Sequence, residues 1–409
     1  MGIYFTSLCL FLIILNFSIY VVLLLASPTL ILNLIHANQI HSLKHPHVSR
    51  IEEASLAHLD YLQAKASGDI IAHLHPNIPT SFLVNISIGN PPIMQLLNMD
   101  TGSDLTWLQC TPCTNCLPQS IPFFDPSRSY TYRNEFDSCR TTKYSMPSLR
   151  FNAKTKFCEY SMKYMDGTWS RGTLVKETLT FNTIYGEFSS ASLPNVAFGC
   201  GYDNYGEPQY VTGVLGLGYG RLSLLHRFGK KFSCCFGSLY DLSYPHNVLV
   251  IGDDGTDILG DTTPLEIENG LYYIGIEAIS LGGIILPIDP WVFKRNYETG
   301  SRGAIIDTGT TLTYLMECYN GDIERDLVES GFPIVTFHFS DGAELSLDTK
   351  SVFTQMDIPG VFCLTVTPST SGNLSIIGAL AQQNYNVGYD LKAKKVSFEN
   401  IDCGILFDY

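Results

Sequence analysis

Residues 98–110 read NMDTGSDLTWLQC, and residues 305–315 read IIDTGTTLTYL. Each stretch carries Asp-Thr-Gly after an apolar lead-in and before a hydroxyl residue. A single Asp-Thr-Gly is ordinarily a β-turn with a hydrogen-bonding Asp. Two copies in one chain, each followed by Ser or Thr, suggest a site that takes one carboxylate from each of two lobes. The rest of the chain repeats the order. GVLGLG (Gly213 to Gly218) follows the first copy and SIIGAL (Ser375 to Leu380) the second, so each half has the loop and then an apolar-apolar-Gly segment.

The residue types fit one chemistry. Gly lets backbone approach closely, and the Thr and Ser hydroxyls can hold neighbouring groups. Two such loops brought together place two carboxylates where both cannot ionise cheaply, so they share a proton and titrate as a pair. One Asp then acts as base toward a bound water and the other as acid toward a carbonyl oxygen. No metal, cofactor or covalent intermediate is needed.

Composition narrows the field. The 409 residues carry few charges, many apolar and aromatic side chains and a net charge of −14. That balance suits a globular, strand-rich protein and argues against nucleic acid as partner. The stretch from Ile3 to about Ile35 is apolar, with Leu25-Ala26-Ser27 offering small residues for cleavage. We read 1–26 as a signal peptide, an uncleaved anchor being the alternative and the only route to a membrane. Export fits the twelve cysteines, of which Cys9 lies in the leader. The run CTPCTNC (Cys110, Cys113, Cys116) could be a zinc knuckle, but lacks a second ligand pair at the right spacing. Asn85 and Asn373 sit in glycosylation sequons.

Residues 48–66 (VSRIEEASLAHLDYLQAKA) have helical apolar spacing, and turn-rich residues follow. They fall within an expected propeptide, 27–77. Beyond it the period becomes two. Phe82, Val84, Ile86 and Ile88 share one face, with Asn85 and Ser87 on the other. Tyr272, Ile274, Ile276 and Ala278 alternate likewise before a Gly-Gly turn. We place one lobe at 78–258 and the other at 259–409.

The motifs FLVNISIGNPP, MDTGSDLTWLQC, FFDPSRS, VAFGCG, AIIDTGTTLTYL and SIIGALAQQNYNVGYD, with others between 80 and 409, resemble the pepsin-like aspartic proteases, in particular their plant nepenthesin-like, atypical branch. The resemblance implies a mainly β, bilobal fold with the cleft between the lobes. It implies a monomeric, secreted endopeptidase, apoplastic or vacuolar, made as a zymogen, acting on polypeptides at acidic pH and open to pepstatin-type inhibitors. Asp100 and Asp307 would be the catalytic pair. Ser103 and Thr310 would bond their outer oxygens, Thr101 and Thr308 would lock the loops, and Gly102 and Gly309 would donate backbone N–H groups. YMDGTWSRG matches the flap, with Tyr164 its substrate-contacting tyrosine, Asp166 and Gly167 at its tip, and Trp107 supporting Tyr164. Met165 stands where relatives more often have Gly. The implied disulfides are Cys110–Cys113, Cys116–Cys200, Cys139–Cys158, Cys235–Cys403 and Cys318–Cys363, leaving Cys234 unpaired.

One departure weakens the enzyme reading. Asp100 to Gly216 spans 116 residues and Asp307 to Gly378 spans 71, so the second half is 45 residues shorter between equivalent landmarks. The loss falls just after Leu315, and missing core material there would expose apolar surface. Two alternatives to an active protease follow: a catalytically impaired, protease-like binding or inhibitor protein or truncated isoform, and, from the C-x-x-C spacing, a redox or structural protein.

Overall fold

The computed structural model describes residues 30–36 and 82–407, except 120, 136–138, 140–148, 165–166, 183–189, 207–210, 228–229, 239–243, 245, 253–257, 311–317, 356–359 and 367–373. The expected leader, the helix over 48–66, Met165, Asp166, Asn373 and the join after Leu315 lie outside them. The protein is mainly β.

The two Asp-Thr-Gly segments end equivalent strands. Ile93–Asp100 runs parallel to Gly213–Gly216, with Asp100 opposite Gly216. In the second half Gly303–Ile306 runs parallel to Leu374–Ile377, with Ile306 opposite Ile377. Both apolar-Gly segments singled out in the sequence are therefore partners of the loop strands. The strand Phe82–Ile88 follows its alternation: Phe82, Val84, Ile86 and Ile88 are buried, while Asn85 and Ser87 are half-buried. A half-buried Asn85 in mid-strand, paired with Leu96, is a poor glycan acceptor.

The second alternating segment behaves differently. It forms two strands, Leu271–Ile274 in the large sheet and Ile276–Leu281 in a separate four-stranded sheet. The break is Gly275, where a Cβ would lie 2.5 Å from Ser340 Oγ and whose carbonyl accepts the Ser340 N–H. Close approach there turns the chain between sheets, and the expected Gly-Gly turn follows, with Gly282 and Gly283 at φ +56° and +80°. At that end, among the described residues, Ile284, Ile285, Trp291 and Ile334 expose large apolar side chains.

Leu30–His36, inside the stretch read as propeptide, is a strand of the body. It pairs antiparallel with Val248–Ile251 through Leu30–Asn33 and with Phe82–Ile88 through Leu34–His36, and so bridges strands of two sheets.

The disulfides correct the expected pairing. Cys110 bonds Cys200 and Cys113 bonds Cys116, not Cys110–Cys113 and Cys116–Cys200. The reason is topological. Trp107–Gln109 lies parallel to Ser190–Tyr205 with Leu108 opposite Cys200, and Cys110 N–H donates to Gly201 O, which brings Cys110 beside Cys200. Cys139–Cys158 and Cys235–Cys403 form as expected. Cys363 is disulfide-bonded, and backbone register sets it opposite Cys318. Cys234 is the free thiol among the described residues, fully buried, with its Sγ 3.9 Å from Met99 Sδ; burial pushes its ionisation well up.

Candidate active site

Both loops are held by the same local bonds. Gly102 N–H donates to Asp100 Oδ1 (2.8 Å) and Ser103 Oγ to Asp100 Oδ2 (2.5 Å). Gly309 N–H donates to Asp307 Oδ1 (3.1 Å) and Thr310 Oγ1 to Asp307 Oδ2 (2.7 Å). Each carboxylate thus receives a backbone donor on one oxygen and a hydroxyl on the other, which fixes its plane. Asp100 and Asp307 are 4% and 1% exposed.

The loops meet back to back across the two halves of the chain. Thr308 N–H donates to Thr101 Oγ1 (3.0 Å) and Thr101 N–H to Thr308 Oγ1 (3.3 Å). Thr101 Oγ1 in turn donates to Asp307 Oδ1 (3.0 Å), so one threonine grips both the opposite backbone and the opposite carboxylate. Only glycine fits the closest point: a Cβ on Gly309 would lie 2.5 Å from Asp100 Oδ1. All eight loop residues named from the sequence come together in this one cluster.

A hairpin formed by Phe157–Lys163 and Trp169–Asn182 stands beside it. Tyr164 N–H donates to Thr168 O (2.7 Å), closing the turn, and Gly167 takes φ +80°. Trp107 Nε1–H donates to Tyr164 Oη (2.7 Å), with ring centroids 6.4 Å apart. Both rings sit in a small buried cluster with Leu105, Tyr160 and Leu222. The Trp107–Tyr164 pair named from the sequence is therefore a bonded pair.

Sequence reasoning missed the groups behind the loops. Tyr272, Gln382 and Tyr389 are buried polar side chains bonded to the segments that support the two Asp-Thr-Gly turns. In sequence they look like core aromatics and an ordinary helix glutamine, so no local signal marks them. A separate row, Ser280 Oγ, His338 and Glu344, is joined by bonds of 2.8 and 2.9 Å across the four-stranded sheet. Ser280 is 3% exposed in mid-strand, which suits a cross-strand brace rather than a nucleophile. The sulfurs of Cys110, Cys113 and Cys116 are all engaged in disulfides, leaving no free thiolate there to ligate zinc.

Comparison with known proteins agrees with this geometry. Residues 82–253 match the family model described as xylanase inhibitor N-terminal, and 315–400 the one described as xylanase inhibitor C-terminal. The chain is 35% identical over 357 residues to aspartyl protease UND of Arabidopsis thaliana, covering 80% of this chain and 87% of that one. It is 34% identical over 356 residues to aspartic proteinase nepenthesin-1 of Nepenthes gracilis, covering 79% and 78%. The chain belongs to the pepsin-like aspartic proteases, in their plant nepenthesin-like branch. Among solved structures, edgp superposes with a TM-score of 0.63 at 16% identity over 93% of this chain and 96% of that one. Basic 7S globulin from soybean gives 0.60 at 16% identity over 91% and 96%. At that identity the likeness speaks for the fold alone, the bilobal pepsin-like β architecture.

Proposed function

We propose that this protein is an aspartic endopeptidase that hydrolyses polypeptides at acidic pH. The observation that carries the reading is the matched bonding of Asp100 and Asp307 on two loops locked by Thr101 and Thr308. Two buried carboxylates in contact through such a grip hold one proton between them. The ionised partner draws a proton from a water lying between them, and that water attacks the peptide carbonyl. The protonated partner donates to the carbonyl oxygen and later helps the amine leave. Tyr164, held by Trp107, covers the substrate, and the burial of both carboxylates strengthens each charge interaction in the site.

The same reading makes the protein a secreted zymogen, extracellular or vacuolar, monomeric and inhibited by pepstatin. Residues 1–26 are its signal peptide, 27–77 its propeptide, and 78–258 and 259–409 its lobes. A second reading rests on a specific observation. The second half is 45 residues shorter between its landmarks than the first, and the matching family models carry an inhibitor's name. In it the cleft binds a protein partner without cleaving it.

Secretory expression of the full chain, acidification and assay against a denatured protein from pH 3 to 6 separate the two. Cleavage abolished by pepstatin and by Asp100→Asn establishes the protease. A folded product with no cleavage supports the binding reading.

A further inference from the structure

Behind each catalytic loop one peptide unit is held from both ends. In the first half, Gly218 N–H donates to Ser103 O (2.8 Å), and the carbonyl of that same peptide, Leu217 O, accepts the hydroxyl of Tyr272 at 2.6 Å. Leu217 N–H also donates to Asp100 O (2.8 Å). In the second half, Ala379 N–H donates to Thr310 O (2.8 Å), and the carbonyl of that peptide, Gly378 O, accepts Gln382 Nε2 at 3.2 Å. Gln382 Nε2 also reaches Ile377 O (3.3 Å), which accepts Asp307 N–H (3.0 Å). Gln382 Oε1 is held by Tyr389 Oη at 3.3 Å.

Ser103 and Thr310 are the hydroxyl donors to the outer oxygens of Asp100 and Asp307. The two arrangements therefore end at equivalent atoms of the dyad, although different side chains build them. Bonds strung through a peptide unit polarise one another, so a donor at the carbonyl end strengthens the N–H bond at the other end. The asymmetry is informative. Tyr272 and Tyr389 both belong to the second half of the chain, with ring centroids 5.6 Å apart. Tyr389 stacks on Phe232 at 4.4 Å. Tyr272 crosses to the first half's segment, so one aromatic stack underlies both loops.

Resting on the aspartic protease reading, we propose that Tyr272, and Tyr389 through Gln382, are positioning residues of the dyad: their hydroxyls fix the Leu217–Gly218 and Gly378–Ala379 peptides, and through them Ser103 and Thr310. Burial pushes both phenols well above their ordinary ionisation, so they remain donors across the whole acid range. Tyr272→Phe removes only the hydroxyl and keeps the ring packed.

The test compares the full-length wild type with Tyr272→Phe, Ser103→Ala and the double variant, reading kcat and KM from pH 2 to 7 and amide exchange at Gly218. We expect Tyr272→Phe to lower kcat roughly three- to tenfold, with KM within about twofold. Its acid limb moves to higher pH, because a carboxylate with a weakened donor ionises less readily. Gly218 exchanges faster, and the double variant is no worse in kcat than Ser103→Ala alone. An unchanged kcat and pH profile, or losses that multiply, overturns the proposal. If the wild type cleaves nothing, the protease reading fails by itself and Gly218 exchange still decides: faster exchange confined to that loop supports positioning, unchanged exchange refutes it. Should Tyr272→Phe not fold, Tyr389→Phe against Thr310→Ala, with exchange read at Ala379, decides between the same two outcomes.

Discussion

The Asp100 and Asp307 loops share their inner bonds almost atom for atom, and differ in nearly everything that surrounds them. Inside, each carboxylate takes one glycine N–H and one hydroxyl from its own loop, and Asp307 takes the Thr101 hydroxyl besides. Outside, the first loop stands beside a hairpin whose Tyr164 is bonded to Trp107, and its half of the chain is clasped by Cys110–Cys200, Cys113–Cys116 and Cys139–Cys158. The second half is shorter between its landmarks and exposes Ile284, Ile285, Trp291 and Ile334. The chemistry of a shared proton constrains the inner ring tightly. The outer ring has only to hold it still, and different packing can do that.

The two loops depend on each other most at the dyad. Asp100→Asn and Asp307→Asn should each lower kcat by about a thousandfold or more, since each loop supplies half of one acid–base pair. A variant keeping more than a few per cent of activity would mean the loops are not equivalent. Next come the clasps. Replacing Cys110 and Cys200 by Ser frees a sequence separation of 90 residues and should destabilise the fold by about 2–4 kcal/mol in urea unfolding, whereas the same change at Cys113 and Cys116, three residues apart, should cost clearly less. Equal losses would restore the pairing expected from the family resemblance, because either double change would then break both bonds.

Smaller effects sharpen the picture. Thr101 Oγ1 accepts from Thr308 N–H and donates to Asp307, whereas Thr308 Oγ1 accepts from Thr101 N–H and donates, at 3.4 Å, to Thr101 Oγ1. Thr101→Val should therefore lower kcat more than Thr308→Val, by roughly tenfold. Equal losses would make the grip symmetric. The smallest effect is electrostatic and lies far from the site. The hydrogen bond from Arg325 holds Asp326 down at about 2. Its stabilising contribution is present above the ordinary carboxylate range and is lost as pH falls toward 2. Asp326→Asn should remove that part of the acid sensitivity and, with it, a small part of the stability at pH 7, small because the pair is solvent-exposed.

The sequence made the inner ring legible because its signals are local. Asp-Thr-Gly-Ser/Thr is a short motif, its duplication is visible by eye, and the alternation at Phe82–Ile88 reads directly as a half-buried strand. The rest depends on contacts far apart in sequence. Cys110 meets Cys200 only because two strands run in parallel. Gly275 splits a seemingly continuous strand only because Ser340 approaches it. Leu30–His36 follows an apolar leader in sequence, and its pairing with Val248–Ile251 shows only in the register. Tyr272, Gln382 and Tyr389 act through peptides their own sequence neighbourhoods never mention.

Two half-sites make one site here. Calorimetric titration with pepstatin at pH 4 tests it most directly, using the acidified full-length protein and the two Asp→Asn variants. We predict one inhibitor per chain for the wild type and binding weakened at least about a hundredfold by either substitution, since losing one carboxylate removes the shared proton. Undiminished binding after either substitution would contradict it.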